Sequence, residues 1–264
     1  MTAGRLRGAF EAAASDGRSA FVPYMTAGFP DRRAFMRNAK TLLEAADVLE
    51  VGLPFSDPLG DGPTIQRSSE TALASGVTTQ DVLDMVRDLT AETSTPVVIM
   101  SYYNPIYCYE DGGEAGFVQA AKAAGAAGLI LPDLPPDEGD TLIQAARDAD
   151  LDTVFLVAPT STEERLKRVT DACRGFIYAV SVTGVTGARD ALPADVPDLV
   201  RRVKAVSDLP VAVGFGVSGA ATAKPVADVA DGVVVGSAIV KTAGDGGDVA
   251  ALAHEIRSAC VRHA

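Results

Sequence analysis

Apolar positions along this chain keep switching between two periods. Leu6, Phe10 and Ala13 recur at helical spacing and stop at Asp16-Gly17, which predicts an N-terminal helix laid across one end of the fold. A short apolar run follows at 19–25. After a turn, the stripe Phe35, Met36, Ala39, Leu42, Leu43 and Ala46 marks a helix with Asp31 at its N-cap. That pair sets a rhythm. Further runs at 46–53, 95–102, 126–132, 151–158, 175–182, 208–215 and 231–236 read as strands, with helical stripes such as Val82, Met85, Val86 and Leu89 between them. Runs such as Val97-Val-Ile-Met100 and Val233-Val-Val235 are continuous rather than alternating, as strands buried on both faces of a parallel sheet should be. Eight β/α alternations with no break in composition predict a single α/β domain over residues 1–264, a closed (β/α)8 TIM barrel with an extra N-terminal helix. An open doubly wound sheet would carry a Gly-rich dinucleotide turn after its first strand, and Thr26-Ala-Gly-Phe-Pro30 is not one.

The excess length lies at 53–77, after the second predicted strand, and at 181–195, after the sixth. In a barrel these are βα loops 2 and 6, extended at the catalytic face. Glu50 is the lone acid in Val48-Leu-Glu-Val51, and alternation turns its side chain with Val48, toward either the barrel interior or the helices. A carboxylate inside an apolar strand is costly unless it is paired or reactive. No Lys or Arg follows it until Arg67, so a local partner is absent. Glu50 is therefore either a structural carboxylate paired with a distant cation or an acid whose pKa burial raises toward proton transfer. Asp61, in Leu59-Gly-Asp-Gly-Pro63, fits a turn former when taken alone. Together the two acids supply a proton donor and an acceptor in unlike environments.

Two glycine turns, Val213-Gly-Phe-Gly216 and Val235-Gly-Ser237, close the seventh and eighth predicted strands. Barrels bind phosphate there, with backbone N–H groups and a helix N-terminus as donors. The loop Ser181-Val-Thr-Gly-Val-Thr-Gly-Ala-Arg189 is either a lid hinged at Gly184 and Gly187 or an ordinary connection. Tyr178 either presents its hydroxyl to the same cavity or fills the core.

Composition narrows the chemistry. With 47% hydrophobic and 22% charged residues the chain can build a sizeable core, and a net charge of −12 argues against nucleic acid and anionic membranes as partners. No run approaches the roughly 18 apolar residues of a membrane span, and the first residues lack the apolar region of a signal peptide, so a cytoplasmic protein is expected. Cys108, Cys173 and Cys260 are widely spaced and odd in number, and the last two fall on helical stripes, which suits core residues rather than disulfides. With His254 and His263 as the only histidines, no metal site is expected.

Beyond these patterns, the chain resembles the alpha subunit of tryptophan synthase over essentially its whole length. The resemblance rests on Pro23-Tyr-Met-Thr-Ala-Gly-Phe-Pro-Asp31, Leu49-Glu-Val-Gly-Leu-Pro-Phe-Ser-Asp-Pro-Leu-Gly-Asp-Gly-Pro-Thr-Ile-Gln66, Tyr102-Tyr-Asn-Pro105, Pro132-Asp-Leu-Pro135, Ser181-Val-Thr-Gly-Val-Thr-Gly187, Gly214-Phe-Gly216 and Gly236-Ser-Ala-Ile-Val-Lys241. It implies a lyase of tryptophan biosynthesis that cleaves indole-3-glycerol phosphate to indole and glyceraldehyde 3-phosphate. It further implies Glu50 as the proton shuttle, Asp61 as acceptor of the indole N–H, and Tyr178 as the active-site tyrosine. Thr186 falls at the lid threonine, and Gly187, Gly216, Gly236 and Ser237 at the phosphate contacts. The implied partner is a beta subunit carrying pyridoxal phosphate, met around Pro54 and Asp57 in an alpha2beta2 complex, with no cofactor in this chain. Two alternatives stand beside this: a stand-alone lyase of the same substrate, and a weakly catalytic subunit that mainly activates a beta chain. The sequence departs from the family at Gly60, where alanine is usual, and in Gly219-Ala-Ala-Thr-Ala223, which lacks the usual Pro and acid.

Overall fold

The computed structural model describes residues 4–180, 193, 195–214 and 216–262. Eight parallel strands close in chain order into a barrel: β1 (Ala20–Thr26), β2 (Leu49–Gly52), β3 (Val97–Met100), β4 (Gly128–Leu131), β5 (Asp152–Val157), β6 (Ile177–Val180), β7 (Val211–Gly214) and β8 (Gly232–Val235). The last strand pairs with the first, Val22 opposite Val234, so the barrel has no free edge. Each strand lies within one residue of its predicted run.

Around the barrel run α1 (Arg5–Ser15), α2 (Arg32–Leu43), α3 (Pro63–Ala74), α4 (Thr79–Thr90), α5 (Tyr103–Tyr107), α6 (Gly113–Ala123), α7 (Asp140–Asp148), α8 (Glu163–Ala172), α9 (Asp195–Lys204), α10 (Ala220–Val229), α11 (Ser237–Gly244) and α12 (Val249–Ala259). Asp31 caps α2 as its position predicts, accepting from the Ala34 amide at 2.8 Å. The stretch 53–77, expected as one long loop, contains α3. Its buried positions are Ile65, Ser68, Ser69 and Ala72, so half of its inner face is hydroxyl-bearing and shows no apolar stripe. No helix among the described residues is long and apolar enough to cross a membrane.

Helix α1 closes the N-terminal end of the barrel. Leu6 and Phe10 are buried with Val22, Val48, Val98 and Phe176, and the Phe10 and Phe176 rings stand 5.0 Å apart. The helix comes close because Gly128 and Gly232 begin β4 and β8. A Cβ on either would lie 2.9 Å from Leu6 or 2.6 Å from Phe10. Above this plug Val22, Val48, Val98, Ile130, Val154, Ala212 and Val234 fill the interior. Filled from below, the barrel leaves room only at the C-terminal ends of its strands.

Candidate active site

At that mouth a cavity of about 410 Å³ is lined by Tyr24, Glu50, Asp61, Tyr178, Gly216, Gly236 and Ser237, with Met100, Ile130 and Leu156 as apolar walls. A second hollow of about 360 Å³ lies at the opposite end, beside α1, where Lys204 is paired with Asp231 and Arg7 with Glu11. Among the described residues, the first sets two acids without an ion-pair partner, Glu50 and Asp61, around one space.

Two carboxylates three residues apart show why Glu50 is unusual. Asp47, just before β2, takes a two-pronged grip from Arg18 at 2.8 and 2.9 Å, a backbone bond from Phe21 and a contact from Arg257 at 3.3 Å. Its charge is fully answered. Glu50 is completely buried, and neither of its carboxyl oxygens has a hydrogen-bond partner among the described residues. Of the two orientations left open by alternation, the side chain takes the inward one, sharing the interior face with Val48. The reading of a structural ion pair fails, because no described cation reaches it. Burial, reinforced by the charge of Asp61, pushes its pKa up from 4.5 to about 8, so the acid keeps its proton at neutral pH.

Asp61 stands in the turn that leads into α3. The Gln66 side-chain amide donates to the Asp61 carbonyl at 2.9 Å, and the Asp61 amide donates to Pro58. Expected in a polar loop, the aspartate is instead partly buried, and burial raises its pKa to about 6 while the Tyr102 hydroxyl draws it down. It remains largely ionised at pH 7, below Glu50 in the order of proton affinity. Gly60 donates its N–H to the Tyr102 hydroxyl at 2.9 Å, and a Cβ there would stand 3.3 Å from the same oxygen. The departure from alanine thus accommodates a close loop–tyrosine contact.

Tyr178 faces the cavity from β6. Its ring fills the space over Gly214, where a Cβ would lie 2.5 Å from its hydroxyl. Burial, then the nearby Glu50 and Asp61 charges, push the phenol well above its ordinary pKa, so it stays neutral. Gly216 adopts φ +47°, a left-handed conformation that favours glycine. Gly236 caps α11 without a side-chain bond, leaving the amides of the first turn free of intrahelical partners at the cavity rim. Thr186 and Gly187 lie outside the described residues. Asp57 is exposed, whereas Pro54 is buried; the most exposed large apolar side chain of the loop is Leu59, at 95%.

Sequence reasoning passed over Tyr24. It pairs in register with Glu50 across β1 and β2 and lines the same cavity, yet it sits inside a strand run whose apolar character explains an aromatic without further comment. Its one local signal was Gly52, the small residue on which the ring rests.

Such an arrangement is that of a barrel enzyme working by acid–base chemistry on a small substrate held at the C-terminal mouth. Sequence likeness narrows the class. The family model for the tryptophan synthase alpha chain matches residues 10–261. The Deinococcus radiodurans tryptophan synthase alpha chain is 53% identical over 98% of this chain and 95% of its own length, and that of Nocardia farcinica 45% identical over 97% of each. Among solved structures, Mycobacterium tuberculosis tryptophan synthase superposes with a TM-score of 0.92 at 43% identity, covering 98% of this chain and 99% of the other. The Legionella pneumophila alpha chain gives 0.87 at 34%, covering 97% of both. The chain belongs to the tryptophan synthase alpha chain family. It is a lyase of tryptophan biosynthesis, and the family reaction is cleavage of indole-3-glycerol phosphate to indole and glyceraldehyde 3-phosphate.

Proposed function

We propose that this chain performs that retro-aldol cleavage with Glu50 as a proton shuttle and Asp61 as its ionised counterpart. The supporting observation is the Glu50 carboxyl, fully buried, without a partner among the described residues, and beside a second acid of lower proton affinity. Protonated Glu50 gives its proton to indole C3, and the positive charge that develops at the ring nitrogen is met by the Asp61 carboxylate, which accepts the N–H. The Glu50 carboxylate then removes the proton of the C3′ hydroxyl as the carbon–carbon bond breaks. The aldehyde forms, the indole ring regains its aromaticity, and Glu50 ends as it began. Met100, Ile130 and Leu156 supply the apolar walls an indole ring needs. Gly216, Gly236 and Ser237, with Gly187 of loop 6, hold the phosphate, and Thr186 serves as the lid threonine on the substrate side.

The partner in this reading is a beta subunit bearing pyridoxal phosphate, joined in an alpha2beta2 complex and receiving the indole. Its contact surface is the stretch around Pro54 and Asp57, continued by Leu59, whose side chain is exposed at 95% and is what a partner would cover. Free, buried Cys173 and Cys260 suit a reducing cytoplasm. The test is Glu50→Gln assayed by indole release with and without a beta chain. Turnover should fall at least about 100-fold, the scale of lost acid–base catalysis, while glyceraldehyde phosphate still binds. Near-normal turnover would sink the mechanism. Full activity of the wild-type chain that a beta chain leaves unchanged would replace this reading with a stand-alone lyase.

A further inference from the structure

A chain of hydroxyls runs from the cavity wall into α3. Tyr24 Oη lies 3.1 Å from Thr26 Oγ1, which lies 2.6 Å from Ser68 Oγ, and Ser68 Oγ lies 2.7 Å from the Ile65 carbonyl. The proton positions follow from the far end. A carbonyl only accepts, so Ser68 gives its one proton to Ile65. Ser68 then accepts from Thr26, and Thr26 in turn accepts from Tyr24. Thr26 and Ser68 are fully buried, so water does not compete for these bonds. The Tyr24 proton is committed away from the cavity, and the lone pairs of its oxygen are left to face it.

That oxygen lies in the slot above Glu50. Tyr24 and Glu50 are register partners on adjacent strands, and the Tyr24 oxygen stands 2.1 Å from where a Cβ on Gly52 would be. Residues 50 and 52 share one face of β2 and are separated by about 6.6 Å along the strand. In the structure neither Glu50 oxygen is bonded, and turning the extended side chain along this face would carry the carboxyl across that gap to the Tyr24 oxygen. We propose that Tyr24 is a positioning residue whose oxygen, fixed as an acceptor by the Thr26–Ser68 chain, takes a hydrogen bond from the Glu50 carboxylic acid and holds it turned up toward the substrate. The inference rests on the reading of Glu50 as the shuttle. The other titratable groups lining the cavity are Asp61 from the β2–α3 turn and the Tyr178 phenol from β6; no described Lys, Arg or His lines it.

The experiment is the pH profile of kcat and KM for indole-3-glycerol phosphate cleavage by the full chain with its beta subunit, comparing wild type, Tyr24→Phe and Thr26→Val, with thermal melts to establish folding. Tyr24→Phe removes the acceptor but keeps the ring. KM should stay within about twofold, kcat should fall several-fold, and the basic limb, where Glu50 loses its proton, should move down by about half to one pH unit, the scale of one lost hydrogen bond. Thr26→Val leaves the phenol intact but frees its proton to donate to the ionised carboxylate, so the basic limb should again move down. A purely structural tyrosine would lower melting temperature and rate without moving either limb. If the basic limb of either variant stays in place or moves up, the proposal is overturned. A Glu50→Gln control with near-normal turnover would overturn instead the reading on which it rests.

Discussion

Replacing Glu50 with Gln tests the buried acid through stability rather than rate. In the unfolded chain this carboxyl titrates near its ordinary 4.5, whereas in the fold burial and the Asp61 charge raise it to about 8. Between those values the folded state binds a proton that the unfolded state has released, so each rise in pH favours unfolding. Stability from this site is greatest below about pH 4.5, declines through the window, and levels off above about pH 8. At about 1.4 kcal/mol per pH unit the full span corresponds to about 5 kcal/mol, of which about 3 is already lost at pH 7. Glutamine has nearly the same shape and no proton to exchange. Urea unfolding of both proteins at pH 5, 6, 7, 8 and 9 should show a small difference at pH 5, with the variant overtaking wild type by several kcal/mol at pH 8. The gap should then stay constant. Asp61 titrates in both proteins and largely cancels in the comparison. A difference that is flat from pH 5 to 8 would refute a carboxyl buried in its neutral form, and with it the proton source of the proposed mechanism.

Other substitutions separate the parts of the site. Asp61→Asn should cut kcat by about 10²-fold or more with little change in KM, and by removing a neighbouring negative charge should shift the basic limb of Glu50 to lower pH; an unchanged limb would show that the acids do not interact. Gly52→Ala puts a Cβ 2.1 Å from the Tyr24 hydroxyl, so both kcat and stability should fall, the latter by about 1–3 kcal/mol in thermal or urea unfolding. Gly232→Ala brings a similar clash, 2.6 Å from Phe10, but at the opposite end of the barrel. It should lose comparable stability while kcat of the folded enzyme stays near wild type, and a parallel loss of kcat would show that the plug and the mouth are coupled. Ser237→Ala should raise KM about two- to tenfold with kcat unchanged, measured in steady-state cleavage, if this residue serves only to bind phosphate.

The sequence by itself determined the architecture. Continuous apolar runs such as Val97-Val-Ile-Met100 need both faces covered, and eight of them separated by helical stripes leave a closed parallel barrel as the consistent solution. It also exposed Glu50, because an acid inside such a run conflicts with its surroundings at the level of local pattern alone. Helix α3 was not legible, since Ser68 and Ser69 face inward to serve hydrogen bonding and tight packing rather than apolar burial. Nor was the burial of Pro54, which depends on how the turn after β2 folds back.

Tertiary structure decided which acid is answered and which is left alone. Asp47 finds Arg18 29 positions before it and Arg257 210 after it, and no reading of neighbouring residues reveals such partners. Glu50, three positions from Asp47, finds none among the described residues. The same closure brings Tyr24 beside it by strand register, and the burial that follows raises one carboxyl to about 8 and the other to about 6. Periodicity is a property of adjacent residues and survives in one dimension. Proton affinity depends on solvent and on charges that only the closed barrel brings together.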